Sequence, residues 1–150
     1  MLIVGMGLTG NESLLGYWQA NEDANDSAGA NHGIMAGGAT FGTGHDGQAF
    51  SLDGANAHVS VPHVSGWDFA EGDFTISTWA LLDAPPPKKH YAMMAHTAQD
   101  VPWRGWWFML RTAFRPAELV FEDGVTFIDP SISGMSAEIP GGLDYGTWHL

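Results

Sequence analysis

The sequence predicts an all-β protein, an antiparallel sandwich or barrel, and three observations support this prediction. Short runs rich in β-branched and aromatic residues, several of them alternating apolar with polar, recur along the chain. Twenty glycines and eight prolines mark frequent turns between these runs. No helical pattern of about 10 to 15 residues separates them, as it would in a parallel α/β sheet. Because 45% of the 150 residues are apolar, the chain can fill a single sizeable core.

The chain opens with a glycine pattern that imitates a nucleotide site. Gly5, Gly7 and Gly10 match the G-x-G-x-x-G spacing after a short apolar run. That fingerprint requires a following helix, but Gly16 interrupts the one helix-like stretch and the polar segment 21–29 is typical of a loop. We therefore expect no dinucleotide binding, and we predict that residues 1–13 form a leader or edge segment.

The next elements are predicted strands with alternating or two-sided apolar patterns. Residues 48–53 and 57–61 alternate, and the turn residues 54–56 between them predict a β-hairpin. Pro62 ends the second strand because it has no amide proton for a ladder. Residues 73–82 carry apolar side chains on both faces, which predicts a central strand.

The second half of the chain continues the strand pattern after a proline-rich loop. Residues 85–89 contain three prolines and two lysines and predict that loop. Three strand-length runs follow, each ended by turn-forming residues, at 91–95, 106–110 and 118–121.

Composition excludes several classes of partner. Seventeen acidic residues against five basic ones give a net charge of −12, which repels phosphate backbones and anionic membranes, so we expect no nucleic-acid partner. No segment approaches the roughly 18 apolar residues of a membrane span, and this chain carries no recognisable secretion signal. We interpret the five basic residues as solvated side chains rather than an anion site. They are Lys88, Lys89, Arg104, Arg111 and Arg115.

Four motifs occur in order along the chain and point to one family. They are residues 14–18 (LLGYW) with the loop 26–33, residues 47–54 with 58–62, residues 73–79 (DFTISTW), and residues 146–149 (GTWH). Together they resemble the laminin-G-like branch of the concanavalin A-like lectin and glucanase domains. The strand DFTISTW is the most specific of the four.

This resemblance implies an antiparallel jelly-roll β-sandwich over residues 14–150. In the family several strands follow the tryptophan-histidine strand, so we expect an incomplete domain that lacks its last strands. The same resemblance implies a longer multidomain protein at the cell surface or outside the cell, and it places Trp18, Trp79 and Trp148 in core strands.

The resemblance also implies a calcium ion near the opening loop, since calcium prefers clustered oxygen ligands. By its motif, Asp26 is the principal candidate ligand, with the carbonyl of Asn31 as a second. Glu22 and Asp23 supply further oxygens. The alternative is an ordinary acidic turn in which Asp26 accepts hydrogen bonds from backbone amides.

An aromatic cluster at residues 103–107 is the candidate ligand site. Sugar binding needs an aromatic face for stacking and polar groups that fix hydroxyls. Trp106 and Trp107 are adjacent and so point to opposite faces of a strand, whereas Trp103 precedes the strand. We predict Trp103 as the stacking residue, with Arg104, His96 and Asp100 as hydrogen-bonding partners; the alternative is that these tryptophans only pack.

The sequence offers no catalytic arrangement. A retaining glycosidase needs two carboxylates about 5 to 5.5 Å apart, which on one strand requires acidic residues on the same face. Glu122 and Asp123 are adjacent and Asp53 stands alone on its strand, while the seven histidines are dispersed. Cysteine is absent, which excludes disulfides, thiolate metal sites and a cysteine nucleophile.

The sequence therefore predicts a non-catalytic recognition module that binds carbohydrate or another cell-surface ligand, with calcium as its candidate cofactor. The alternative from a different class is a structural or adhesive module of a larger surface or virion protein, with no sugar binding. A third alternative is an accessory domain beside a glycoside hydrolase or a sialidase.

Overall fold

The computed structural model describes residues 2–10, 13–67, 74–83, 90–97, 105–111, 118–123 and 135–150. Within these ranges the chain is all-β, as predicted, with a single short 3-10 helix at Ser65–Trp67. None of the described helical structure is long and apolar enough to cross a membrane. The strands are β1 Leu2–Gly10, β2 Ser13–Trp18, β3 Ile34–Ala36, β4 Thr40–Thr43, β5 Gln48–Ser51, β6 His58–Ser60, β7 Phe74–Leu81, β8 His90–Thr97, β9 Gly105–Arg111, β10 Glu118–Asp123, β11 Met135–Glu138 and β12 Trp148–His149.

The chain divides into two compact units. Unit 1 comprises residues 1–84 and 145–150, and unit 2 comprises residues 85–144. Unit 1 holds a six-stranded sheet in the order β12-β7-β1-β5-β4, with β2 also paired to β1, and a separate β3–β6 ladder. Unit 2 holds a four-stranded antiparallel sheet in the order β11-β10-β9-β8.

Strand β1 lies inside the unit 1 sheet, not at its edge as predicted for residues 1–13. It pairs with β7 along one side, and with β5 and β2 along the other. Gly5 falls at a bulge between Val4 and Met6, where the register with β7 shifts. A glycine-rich strand is tolerated here because both neighbouring strands supply partners for its backbone groups.

The central position predicted for residues 73–82 is confirmed, because β7 lies between β1 and β12. Its side chains alternate in exposure: Thr78, Ala80 and Leu82 are buried, whereas Thr75 and Ser77 are exposed. Trp79 shares the second face, which we call the outer face of unit 1, and is half-buried.

The predicted hairpin of residues 48–61 is wrong. Strand β5 pairs with β4 and β1, while β6 pairs with β3 in the separate ladder. The carboxylate of Asp53 explains the departure, because its Oδ1 accepts backbone N–H groups from three successive residues at 2.8 to 3.1 Å. The donors are Ala55, Asn56 and Ala57. This wide turn carries the chain away from β5 instead of folding it back.

The core of unit 1 is built on aromatic pairs. Trp18 is 2% exposed and lies 5.8 Å from the ring of Trp67, and Phe41 lies 5.8 Å from Phe50. Phe50 and Ala80 both pair with Ile3, so they share one face of the sheet, and both are buried. The core position implied for Trp18 is therefore confirmed.

In unit 2 the strands predicted at 91–95, 106–110 and 118–121 are confirmed as parts of β8, β9 and β10. Trp106 and Leu110 are buried on one face of β9. A bulge between Ala92 and Met94 shifts the register of β8 against β9. The all-β class of both units is consistent with a β-sandwich.

Candidate functional site

Asp26 anchors the loop that follows β2. It is only 4% exposed, and its carboxylate accepts backbone N–H groups from Tyr17 at 2.8 Å, Ala28 at 2.9 Å and Asn31 at 3.1 Å. An isolated bridge joins Asp26 to Trp18 across the same turn. A carboxylate that accepts hydrogen bonds from several backbone amides is strongly stabilised in its charged form.

Two opposing effects set the acidity of this group. Burial raises the pKa of Asp26, because a charge is less well solvated away from water. Hydrogen bonds from the backbone amides of Tyr17, Ala28, Asn31 and Gly29 outweigh burial, so the pKa lies below its ordinary value. Asp26 is therefore ionised at neutral pH and holds its loop against β2.

Two of the other three predicted calcium ligands, Asn31 and Asp23, accept hydrogen bonds within the protein. The carbonyl of Asn31 accepts the indole Nε1–H of Trp18 at 2.9 Å. The carboxylate of Asp23 accepts the backbone N–H and the side-chain Nδ2–H of Asn25, at 3.0 and 2.7 Å. Glu22 adopts a left-handed φ of 67° and donates its backbone N–H to Gln48.

A calcium ion at this loop would share its oxygen ligands with hydrogen bonds inside the protein. The carboxylates of Asp23 and Asp26 and the carbonyl of Asn31 already accept protein N–H groups, whereas calcium prefers clustered oxygen ligands. Across the described ranges, no three His, Cys, Asp or Glu side chains gather at one point that could hold a metal. The calcium site stays a prediction from the family resemblance.

Of the four predicted ligand-binding residues, the structure describes His96. Trp103, Arg104 and Asp100 lie outside the described residues. His96 is the register partner of Trp106, and their rings stack with centroids 6.0 Å apart. Since Trp106 is 6% exposed, His96 lies on the buried side of β8 and β9. Its predicted role in ligand binding stays a prediction.

The opposite side of this sheet carries Trp107. Its register partner on β8 is Ala95, and the partner of Met109 is Ala92. The bulge at Met93 brings these two alanines, three residues apart, onto one face, and both are exposed. We call this surface the Trp107 face; its described members are Ala92, Ala95, Trp107, Met109 and Arg111.

The Trp107 face combines an aromatic ring with a guanidinium group. Trp107, Met109 and Arg111 occupy every second position of β9 and therefore share a face, and all three are half-buried. On β10, Glu122 pairs with Trp107 and Glu118 pairs with Arg111. The indole offers an apolar plane, and the guanidinium offers a fork of N–H donors at the end of the same strand.

A second aromatic cluster was not predicted from the sequence. The imidazole of His45 stacks on Trp79 with centroids 3.7 Å apart and planes 10° apart, and it meets Trp148 at 6.4 Å and 88°. We call His45, Trp79 and Trp148 the aromatic corner. Both tryptophans are half-buried rather than fully in the core, and His45 is exposed. No local pattern could have indicated it, because the three residues are far apart in sequence.

Comparison with known protein families, with curated proteins and with solved structures finds no match to this chain. The resemblance to laminin-G-like domains therefore depends on the four sequence motifs alone.

Proposed function

We propose that this protein is a non-catalytic recognition module that binds carbohydrate through the Trp107 face of unit 2. In this proposal it has a jelly-roll fold of the laminin-G-like type and belongs to a protein of the cell surface or extracellular space. The observation that supports it most is the position of Trp107 beside two exposed alanines.

The indole of Trp107 offers a stacking surface for a sugar ring. A pyranose presents an apolar face of C–H groups, which stacks on a flat aromatic ring. Large side chains beside Trp107 on β8 would block such a ligand, but Ala95 and Ala92 are small and exposed. The surface beside the indole on this side of the sheet is therefore accessible to a sugar ring.

Arg111 is the polar residue that orients the sugar in this proposal. Arg111 lies two positions beyond Met109 on the same face of β9. Its guanidinium donates hydrogen bonds to hydroxyl or carboxylate oxygens of a sugar. Because unit 2 carries all five basic residues of the chain against seven acidic ones, an acidic sugar meets less repulsion here than at unit 1.

The test is a screen of the labelled protein on immobilised glycans, with Trp107→Ala as the variant. We expect at least one class of glycan to be bound and Trp107→Ala to weaken that binding about tenfold, which corresponds to the loss of one stacking contact. Trp148→Ala is the matched control, since it removes a half-buried tryptophan of unit 1 and should leave glycan binding unchanged.

The structural or adhesive alternative predicts a different outcome of the same screen. If no glycan is bound by a protein that unfolds cooperatively, the Trp107 face is a packing surface and the carbohydrate proposal fails. Equal binding by the wild type and Trp107→Ala would place any sugar site elsewhere.

A further inference from the structure

The indoles of Trp79 and Trp148 form two walls of the aromatic corner, and the imidazole of His45 contacts both as its occupant. The His45 plane is nearly parallel to Trp79, at 10°, and nearly perpendicular to Trp148, at 88°. The planes of the two indoles therefore lie within about 12° of a right angle to each other. The flat imidazole of His45 fills the space that these walls define.

The two walls are fixed by the sheet. Trp79 lies on β7 and Trp148 on β12, where Trp148 pairs with Leu81. Trp79 and Leu81 are two residues apart on β7 and therefore share a face. Because Trp148 pairs with Leu81, both indoles lie on the outer face of unit 1. A hydrogen bond from the backbone N–H of Gly146 to the carbonyl of Leu82, at 2.8 Å, holds the start of β12.

The occupant comes from a hairpin tip. His45 lies in the tight turn between β4 and β5, which the N–H of Gly44 closes by donating to the carbonyl of Gly47 at 3.0 Å. The base of the turn is held because Gln48 donates its backbone N–H to Asn21 Oδ1 at 2.9 Å. His45 reaches over β1, which separates β5 from β7. Because His45 is exposed, a change of its side-chain rotamer would free Trp79 without breaking the ladders on which the walls stand.

The negative charge of unit 1 favours a cationic ligand at the aromatic corner. Unit 1 contains ten acidic residues and no lysine or arginine, so its electrostatic potential attracts cations. Asp46, the neighbour of His45, is exposed, and so is Asp83, two residues beyond Leu81. Aromatic faces attract cations through the negative charge above their rings, most strongly in tryptophan.

We propose that the aromatic corner is a second binding site, for a small organic cation of the quaternary ammonium class. The cation lies against the indole of Trp79 and beside Trp148, and His45 swings away to admit it. A quaternary ammonium fits better than a metal ion because its charge is spread over methyl groups, so it is weakly hydrated and needs no oxygen ligands.

The experiment titrates the full 150-residue chain with choline, with sodium chloride at equal ionic strength as reference. The indole Nε1–H signals of Trp79 and Trp148 are followed by NMR, and binding is measured by calorimetry. The uncharged isostere 3,3-dimethylbutan-1-ol separates cation–π attraction from hydrophobic binding. We expect choline to shift both indole signals and the alcohol to bind at least about threefold more weakly.

Three variants of the corner test its geometry. His45→Ala removes the internal competitor and should tighten choline binding about threefold, whereas His58→Ala, an exposed histidine of the β3–β6 ladder, should not change it. Trp79→Phe and Trp148→Phe keep an aromatic ring and should weaken binding about three- to thirtyfold. Thermal unfolding of each variant confirms that it is folded.

The outcomes are distinct from those of the carbohydrate proposal. Trp107→Ala should leave choline binding unchanged, because Trp107 belongs to unit 2. Equal binding of choline and the alcohol, no binding to the wild type, or binding that appears only after His45→Ala would each overturn the proposal. In the last case the corner would be a closed internal contact.

Discussion

Replacing Asp26 should destabilise unit 1 more than replacing any exposed acid of the same loop. Asp26→Ala removes the acceptor of three backbone N–H groups, those of Tyr17, Ala28 and Asn31. Each such bond contributes about 1 kcal/mol net, so the expected loss is about 3 kcal/mol. Asp26→Asn keeps one oxygen but loses the charge and one acceptor, and it should cost about 1 to 2 kcal/mol.

Urea unfolding followed by tryptophan fluorescence measures this loss. With a slope of about 2 kcal/mol per molar urea, Asp26→Ala should lower the midpoint by about 1.5 M. Asp23→Ala is the matched control, since the carboxylate of Asp23 is exposed and bonds only to Asn25 among the described residues. Its expected effect is below about 0.5 kcal/mol. Equal midpoints for Asp26→Ala and Asp23→Ala would refute the anchoring role of Asp26.

The same carboxylate makes stability depend on pH. Because the pKa of Asp26 is lower in the folded than in the unfolded chain, its stabilisation is fully present above the unfolded value of about 3.9. It is lost as the pH falls through the folded pKa. The difference in unfolding free energy between the wild type and Asp26→Asn should therefore be constant above about pH 5 and shrink below about pH 4. A difference that grows on acidification would contradict this account.

Three further predictions concern loops. Gly37→Ala should lower the free energy of unfolding by about 3 kcal/mol, and Gly38→Ala by about 1 kcal/mol. Both glycines have positive φ, but of the two only Gly37 would bring a Cβ into the backbone carbonyl of Asn56. Equal melting temperatures for the two variants would contradict this contact. Asp53→Ala should speed hydrogen exchange at amides 55–57, which donate to Asp53 Oδ1, and unchanged exchange would show that the turn forms without it. If calcium binds at the Asp26 loop, the melting temperature of the wild type should be higher in calcium than in chelator, and that of Asp26→Asn should be the same in both. An equal melting temperature of the wild type in calcium and in chelator would exclude the site.

Local patterns predicted the strands better than their partners. The two-sided apolar run of β7 and the tryptophan-rich run of β9 were sufficient to place both strands. The pairing of β5 depends instead on the turn at Asp53 and on contacts with β1, which no local period reports. The short strand β3 carries too few residues for a period to be visible.

The candidate sites show the same division between local and long-range information. Alternation placed Trp106 and Trp107 on opposite faces, and the structure adds that Trp106 is the buried one. The exposed alanines beside Trp107 could not be predicted, because a bulge in β8 sets their register. The stacking of His45 on Trp79 joins residues 34 positions apart and depends on the whole sheet order.

The most direct test of carbohydrate recognition is the indole Nε1–H signal of Trp107 in an NMR titration with the best-bound glycan from the screen. The signal is assigned by its absence in Trp107→Phe. We predict that it shifts in a saturable way, with the same dissociation constant as the binding isotherm, while the signal of Trp148 stays in place. A bound glycan that leaves the Trp107 signal unmoved would contradict the proposed site.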